Sequence, residues 1–320
     1  VLETPFGVAA GPHSQLSQNI VAAWLCGARF VELKTVQVLD DLDIPRPCID
    51  MADEGYNCEW SQELPIGESF AQYADAWTAI QMLRHQAGTY DPTSDGYRLN
   101  ISVGYDLAGI RTAKVGRFLD LMADSRRELK DRLARAARYH RGCLDVVAPA
   151  SLSDNVTLST MHGCPPDEIE RIGRHLIAER GLHTAIKLNP TLLGRDELRE
   201  LLCGRLGYAV DVPDTAFEHD LEFDAAVDMV RSLQGEAEKA GVEFAVKLTN
   251  TLECRNTRDV FPAKEDMMYM SGRALHPITV RVAAKLDAAL DGTLDMSFSG
   301  GADWGNAAEL VACGLAPVTV

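Results

Sequence analysis

NVTLSTMHGCPPDEIERIGRHLIAERGLHTAIKLN, residues 155–189, holds one complete repeat of the chain's organisation. A short β-type run (155–160) is followed by a tight corner, a segment that starts as a helix, and a second β-type run (183–189). Gly163 can turn the chain. Pro165 and Pro166 suit a helix start, and Asp167 and Glu168 suit its positive end. The same alternation recurs along the sequence. Further apolar β-type runs fall at 6–10, 29–36, 98–105, 243–249, 294–299 and 316–320, which makes eight. Most are separated by stretches of 3.6-residue periodicity, such as QLSQNIVAAWLCG (15–27) and FLDLMADSRRELKDRLARAARY (118–139). Strand and helix in regular alternation imply parallel strands joined by crossover helices, and eight repeats favour a closed (β/α)8 TIM barrel over an open sheet. Residues 37–97 and 250–277 exceed simple connections. They read as long loops after strands 2 and 6, on the face where barrel active sites lie.

Inside the quoted stretch, STMHGC offers hydroxyls, an imidazole and a thiol. Three readings stand side by side: a metal site, a structural corner, and a catalytic loop at a strand end. H-G-C supplies only two metal ligands, and no second pair is within reach by sequence.

Bulk properties narrow the partners. The net charge of −16 argues against nucleic acid and against an anionic membrane surface. No run of about 20 apolar residues is present, so no membrane span is expected. Eight scattered cysteines without a C-x-x-C pair fit reduced thiols of a cytoplasmic protein rather than a disulfide framework, an iron–sulfur cluster or structural zinc. The chain reads as one domain over 1–320. It starts at Val1 and ends on an apolar run, which suggests an excerpt of a longer polypeptide.

The last residues of each strand would reach the barrel mouth. Ala9, Ala10 and Gly11 are small enough for a flat ligand to lie on the backbone. Lys34 and Thr35 end strand 2, and Lys187 sits in an apolar strand one step from its end. Lys247, Thr249 and Asn250 end strand 6. Gly300 and Gly301, between a strand and a helix, could cradle a phosphate or simply turn the chain. A strand-end lysine is either a functional cation or a solvated surface group. Lys187 or Lys247 could also form a Schiff base, which keeps an aldolase or lyase open as an alternative.

Several segments together resemble the flavin barrel of dihydroorotate dehydrogenases and of the pyrimidine-reducing domain of dihydropyrimidine dehydrogenase. They are TPFGVAAGP (4–12), ELKTV (32–36), IPRPCIDMADEGYNCEW (44–60), IKLNP (186–190), KLTNT (247–251), SGRALHPITVRV (271–282) and SFSGGADWGNAAELVACGLAPVTV (297–320). Residues 4–37 and TLSTMHGCPPDEIE (157–170) more closely resemble the N-terminal part of the YgfK family, large iron–sulfur flavoproteins that have carried a selenate-reductase name and a link to purine-related genes. The resemblance implies an FMN-dependent oxidoreductase that moves hydride between flavin and a planar pyrimidine- or purine-like heterocycle. It also implies 4Fe–4S and FAD/NAD(P)H modules outside this segment.

Residue by residue, the resemblance places Ala9, Ala10, Gly11, Lys34, Thr35, Lys187, Thr249, Gly272, Ser299, Gly300 and Gly301 at the flavin. It places Asn57, Asp106, Thr157, Asn250 and Thr251 at the substrate. Thr160 falls in the family's acid–base slot, with His162 and Cys164 as helpers. Three positions depart from the family: Thr157 and Asp106 stand where asparagines are expected, and Thr160 where a Cys or Ser is. These departures keep open a third reading, a non-catalytic barrel that holds redox modules together.

Overall fold

Eight parallel strands close on themselves in chain order in a computed structural model, which describes residues 2–39, 46–52, 54–58, 64–160 and 162–320. They are β1 (Phe6–Val8), β2 (Phe30–Glu32), β5 (Arg98–Val103), β6 (Asn155–Leu158), β7 (His183–Leu188), β8 (Phe244–Leu248), β11 (Asp295–Phe298) and β12 (Val318–Thr319). Each lies within one of the eight runs expected from the sequence, and β12 pairs with β1 to close the ring. The chain folds as a TIM barrel. Apolar strand residues such as Leu158, Ile186, Val246 and Phe298 face the surrounding helices and are buried there.

The lumen departs from the aliphatic filling common in such barrels. Lys247 of β8 meets Glu32 of β2 directly across the interior, and its ammonium donates to Thr319 Oγ1 at 3.2 Å. Asn100 of β5 donates to Thr157 Oγ1 of β6 at 2.8 Å.

The two long insertions are not simple loops, which corrects the sequence expectation. Between β2 and β5 lie β3 (Ile49–Asp50), β4 (Gly55–Asn57) and the long helix α2 (Ile66–Gln86). After β8 lie β9 (Leu252–Arg255) and β10 (Met267–Ser271). These four short strands form one antiparallel sheet in the order β3-β4-β10-β9. Its two halves leave the carboxyl ends of the second and sixth barrel strands, which stand opposite one another in the ring. The sheet therefore roofs the mouth. Neither half could bury a face alone, so neither shows a strand signal as clear as the barrel's.

The periodic stretch 118–139 also divides. Helix α4 (Ala113–Ala123) ends where Asp124 leaves helical geometry (φ −134°, ψ 82°). Helix α5 (Arg126–Ala136) starts after Ser125, whose N–H turns to Ala150 O at 2.9 Å. No described helix is long and apolar enough to cross a membrane.

Candidate functional site

The strand ends under the roof carry most of the expected residues. Ala9 is held by β12, its N–H donating to Val320 O at 3.0 Å. Gly11 packs so closely on His13 that a Cβ would clash with the imidazole. Lys34 is buried with Nζ 3.5 Å from Thr35 O, and the Tyr73 hydroxyl of α2 donates to the Lys34 carbonyl at 3.3 Å. Thr35 Oγ1 lies 2.8 Å from Ser102 Oγ.

Lys187, on β7, registers with Lys247 on β8, so both side chains fall on the lumen side. Their surroundings differ. Lys247 meets Glu32 in the buried ion pair, and burial pulls its ammonium down to about 7. Lys187 makes no hydrogen bond or ion pair among the described residues, and burial pulls its ammonium down to about 8.

At the carboxyl end of the barrel, three glycines from two connections converge. Gly272 (φ 87°) precedes a 3₁₀ turn, Arg273–Leu275, and helix α10 (His276–Ala289). A Cβ on Gly301 (φ 78°) would lie 2.6 Å from Gly272 O and 2.7 Å from His276 N. A Cβ on Gly300 would strike Thr279 Oγ1 and reach Thr249 Oγ1 at 2.8 Å. Thr249 and Thr279 share a hydrogen bond of 2.9 Å, and Ser299 Oγ donates to Thr249 O at 3.3 Å. Glycine is required here by close approach. The result is a close-packed glycine junction at the start of a 14-residue helix. Glu54 holds its rim: the buried carboxylate accepts from Arg273 Nε at 2.7 Å and Ala274 N at 3.3 Å.

The expected acid–base slot is reorganised. The alternation of β6, continued by the Ser159 N–H bond to Val103 O, keeps Ser159 rather than Thr160 on the side of Thr157. Thr160 makes no hydrogen bond among the described residues. Cys164 is a poor base: burial, then the carboxylates of Glu168, Asp167 and Asp106, push its thiol up to about 11. His162 is the engaged member. Its Nδ1 faces Asp220 Oδ2 at 3.5 Å, its ring stacks on Tyr269 of β10 at 5.2 Å and 15°, and its buried Nε2 has no partner among the described residues.

The expected substrate residues separate. Asn57 lies buried on the roof, opposite Tyr269 in register; its Nδ2 donates to Tyr269 O at 3.3 Å and its Oδ1 is unanswered among the described residues. Asn250 Oδ1 accepts the Thr251 N–H at 3.0 Å, which uses that acceptor locally. Thr157 is sequestered in the lumen by Asn100. Asp106 is exposed and caps helix α3 (Leu107–Ile110), accepting from Gly109 N at 2.7 Å. Pro45, within the expected Pro-Arg element, and Met161 lie outside the described residues.

Sequence reasoning missed Asp220, Thr191, Tyr269 and Glu54. Asp220 is 58 residues from His162, and no spacing rule connects a turn between two helices to a strand-end loop.

The family described as oxidoreductase YgfK, N-terminal TIM-barrel domain, matches residues 1–320. The protein named for oxidoreductase YgfK in Escherichia coli (strain K12) is 43% identical over 340 aligned positions covering 99% of this chain. The protein of that name in Escherichia coli O157:H7 gives the same figures. The chain spans 32% of the length of these relatives. Among solved structures, the ligand-free DHODH of Eimeria tenella matches with a TM-score of 0.54 at 15% identity, over 99% of this chain and 78% of that one, which shows a shared fold.

Proposed function

Because the chain belongs to the oxidoreductase YgfK N-terminal TIM-barrel family, we propose that its barrel binds FMN and works on a planar, pyrimidine- or purine-like heterocycle. The single observation that carries this reading is Lys187, a partly buried ammonium with no partner among the described residues, at the same end of the barrel as the glycine junction. The donor set fits the group. The Gly300–Gly301 backbone and the start of α10 would hold the phosphate, Ala9, Ala10 and Gly11 would leave room for the ring, and Lys187 would answer its electron-rich edge.

Bound FMN supplies hydride chemistry. The chain's own residues then have three tasks. Lys187 stabilises negative charge that grows near it. The roof sheet, with Asn57, covers the substrate and limits water. His162 holds or receives a proton at Nε2, with Thr160 and Cys164 close in sequence but less well prepared. Electrons would come from 4Fe–4S and FAD/NAD(P)H modules elsewhere in a longer polypeptide, a reading supported by the length of the relatives.

The experiment uses the full-length enzyme, reduced under anaerobic conditions and mixed with a panel of pyrimidines and purines. A substrate is expected to restore the oxidised flavin absorbance, and His162→Gln to slow that return by roughly 10²-fold or more. A panel that leaves the reduced flavin untouched contradicts the heterocycle reading.

A further inference from the structure

Three donors converge on one buried carboxylate in the turn between helices α8 (Asp214–His219) and α9 (Phe223–Ala240). Asp220 Oδ1 accepts the Gly163 N–H at 3.0 Å. Its Oδ2 accepts the Thr191 hydroxyl at 2.8 Å and faces His162 Nδ1 at 3.5 Å. His162 and Gly163 belong to the loop after β6. Thr191 belongs to the 3₁₀ turn (Pro190–Leu193) that follows the Lys187 strand. One side chain thus ties together the two strand-end loops nearest the expected chemistry.

We infer that Asp220 is a positioning residue, which fixes the His162 ring with its proton on Nδ1 and leaves Nε2 bare as the atom that exchanges a proton with the substrate. This rests on the reading of His162 as the acid–base group of the barrel.

Burial pushes the Asp220 carboxyl up, but His162, Gly163 and Thr191 outweigh burial and leave it below the ordinary range. An ionised carboxylate only accepts hydrogen bonds, so Nδ1 must be the donor. A neutral imidazole carries one proton, and Nε2 is then a lone pair. That atom is buried and has no partner among the described residues. A buried hydrogen bond left unmade is costly, which motivates giving Nε2 a partner in the substrate. Tyr269 clamps the ring face from the roof while Asp220 clamps its edge. Among the described residues, the Tyr269 phenol stacks on the ring and the Cys164 thiol lies two positions along the chain. His219 adjoins Asp220 and would lie 3.4 Å, at its Cβ, from a Cβ on Gly163.

The step is a proton transfer only. Nε2 takes a proton from the substrate, the ring becomes imidazolium beside the ionised Asp220, and the proton returns to substrate or solvent when the ring is neutral again. The arrangement resembles the base-and-orienter logic of nucleophile triads without the nucleophile.

The test is nitrogen-15 NMR of histidine-labelled protein, with the His162 signals assigned by their loss in His162→Gln. In the neutral ring, the Nδ1–H form is expected. In Asp220→Asn the Gly163 N–H claims the amide oxygen, the NH₂ group faces Nδ1, and the proton is expected to move to Nε2. Thr191→Val keeps the carboxylate and is expected to keep the Nδ1–H form. A wild-type ring in the Nε2–H form overturns the inference. So does an Asp220→Asn ring that stays Nδ1–H, or a flip on losing Thr191 alone. If Asp220→Asn does not fold, the wild-type and Thr191→Val spectra decide. No flavin or substrate is needed, so a barrel that fails to bind FMN would leave this result standing. A barrel that binds FMN with His162 in the Nε2–H form would sink this inference alone.

Discussion

Lys187 keeps its charge partly out of water, with no carboxylate among the described residues to answer it, and that has a cost. Its ammonium is pulled from 10.5 to about 8 by burial. Between those values the unfolded chain binds more protons than the folded one, so stability rises as pH climbs from about 8 to about 10. Replacing Lys187 with Met removes the buried charge. Lys187→Met is expected to stabilise the ligand-free protein at pH 7 by on the order of 2 kcal/mol, and to flatten the rise between pH 8 and 10. Urea unfolding of both proteins at the two pH values checks this; a variant less stable than the parent at pH 7 contradicts it. The lysine was legible in the sequence because a cation inside IKLNP has few bland explanations. The proton-handling partner was not. His162 was only one of three neighbours in STMHGC, and Asp220, Thr191 and Tyr269 reach it from three separate connections.

At the scale of elements, the eight barrel strands could be read from alternation alone because each buries apolar residues against helices on its outer face. The roof could not. Its strands are two to five residues long and take their partners from opposite sides of the barrel. The glycine junction shows how such elements meet: the β11 turn and the approach to α10 come so close that a methyl group has no place. Gly301→Ala is expected to lose about 1–3 kcal/mol of stability from its positive φ and the clash with Gly272 O. It should also weaken FMN at least tenfold. Thermal unfolding and flavin titration measure the two effects, and an alanine accepted without loss in either would mean that the close approach is not needed.

The molecule as a whole is a barrel with charge at its centre and a lid made from its own loops. Glu32 and Lys247 neutralise each other across the lumen. Lys187, its register partner, has no such carboxylate among the described residues. The central claim is that this mouth holds FMN. It is tested most directly by titrating the protein with FMN, following quenching of flavin fluorescence and confirming the bound mass. One FMN per chain is expected, with binding lost in Lys187→Ala and in Gly301→Trp. A folded barrel that takes up no FMN, or one whose binding survives both substitutions, would contradict the account.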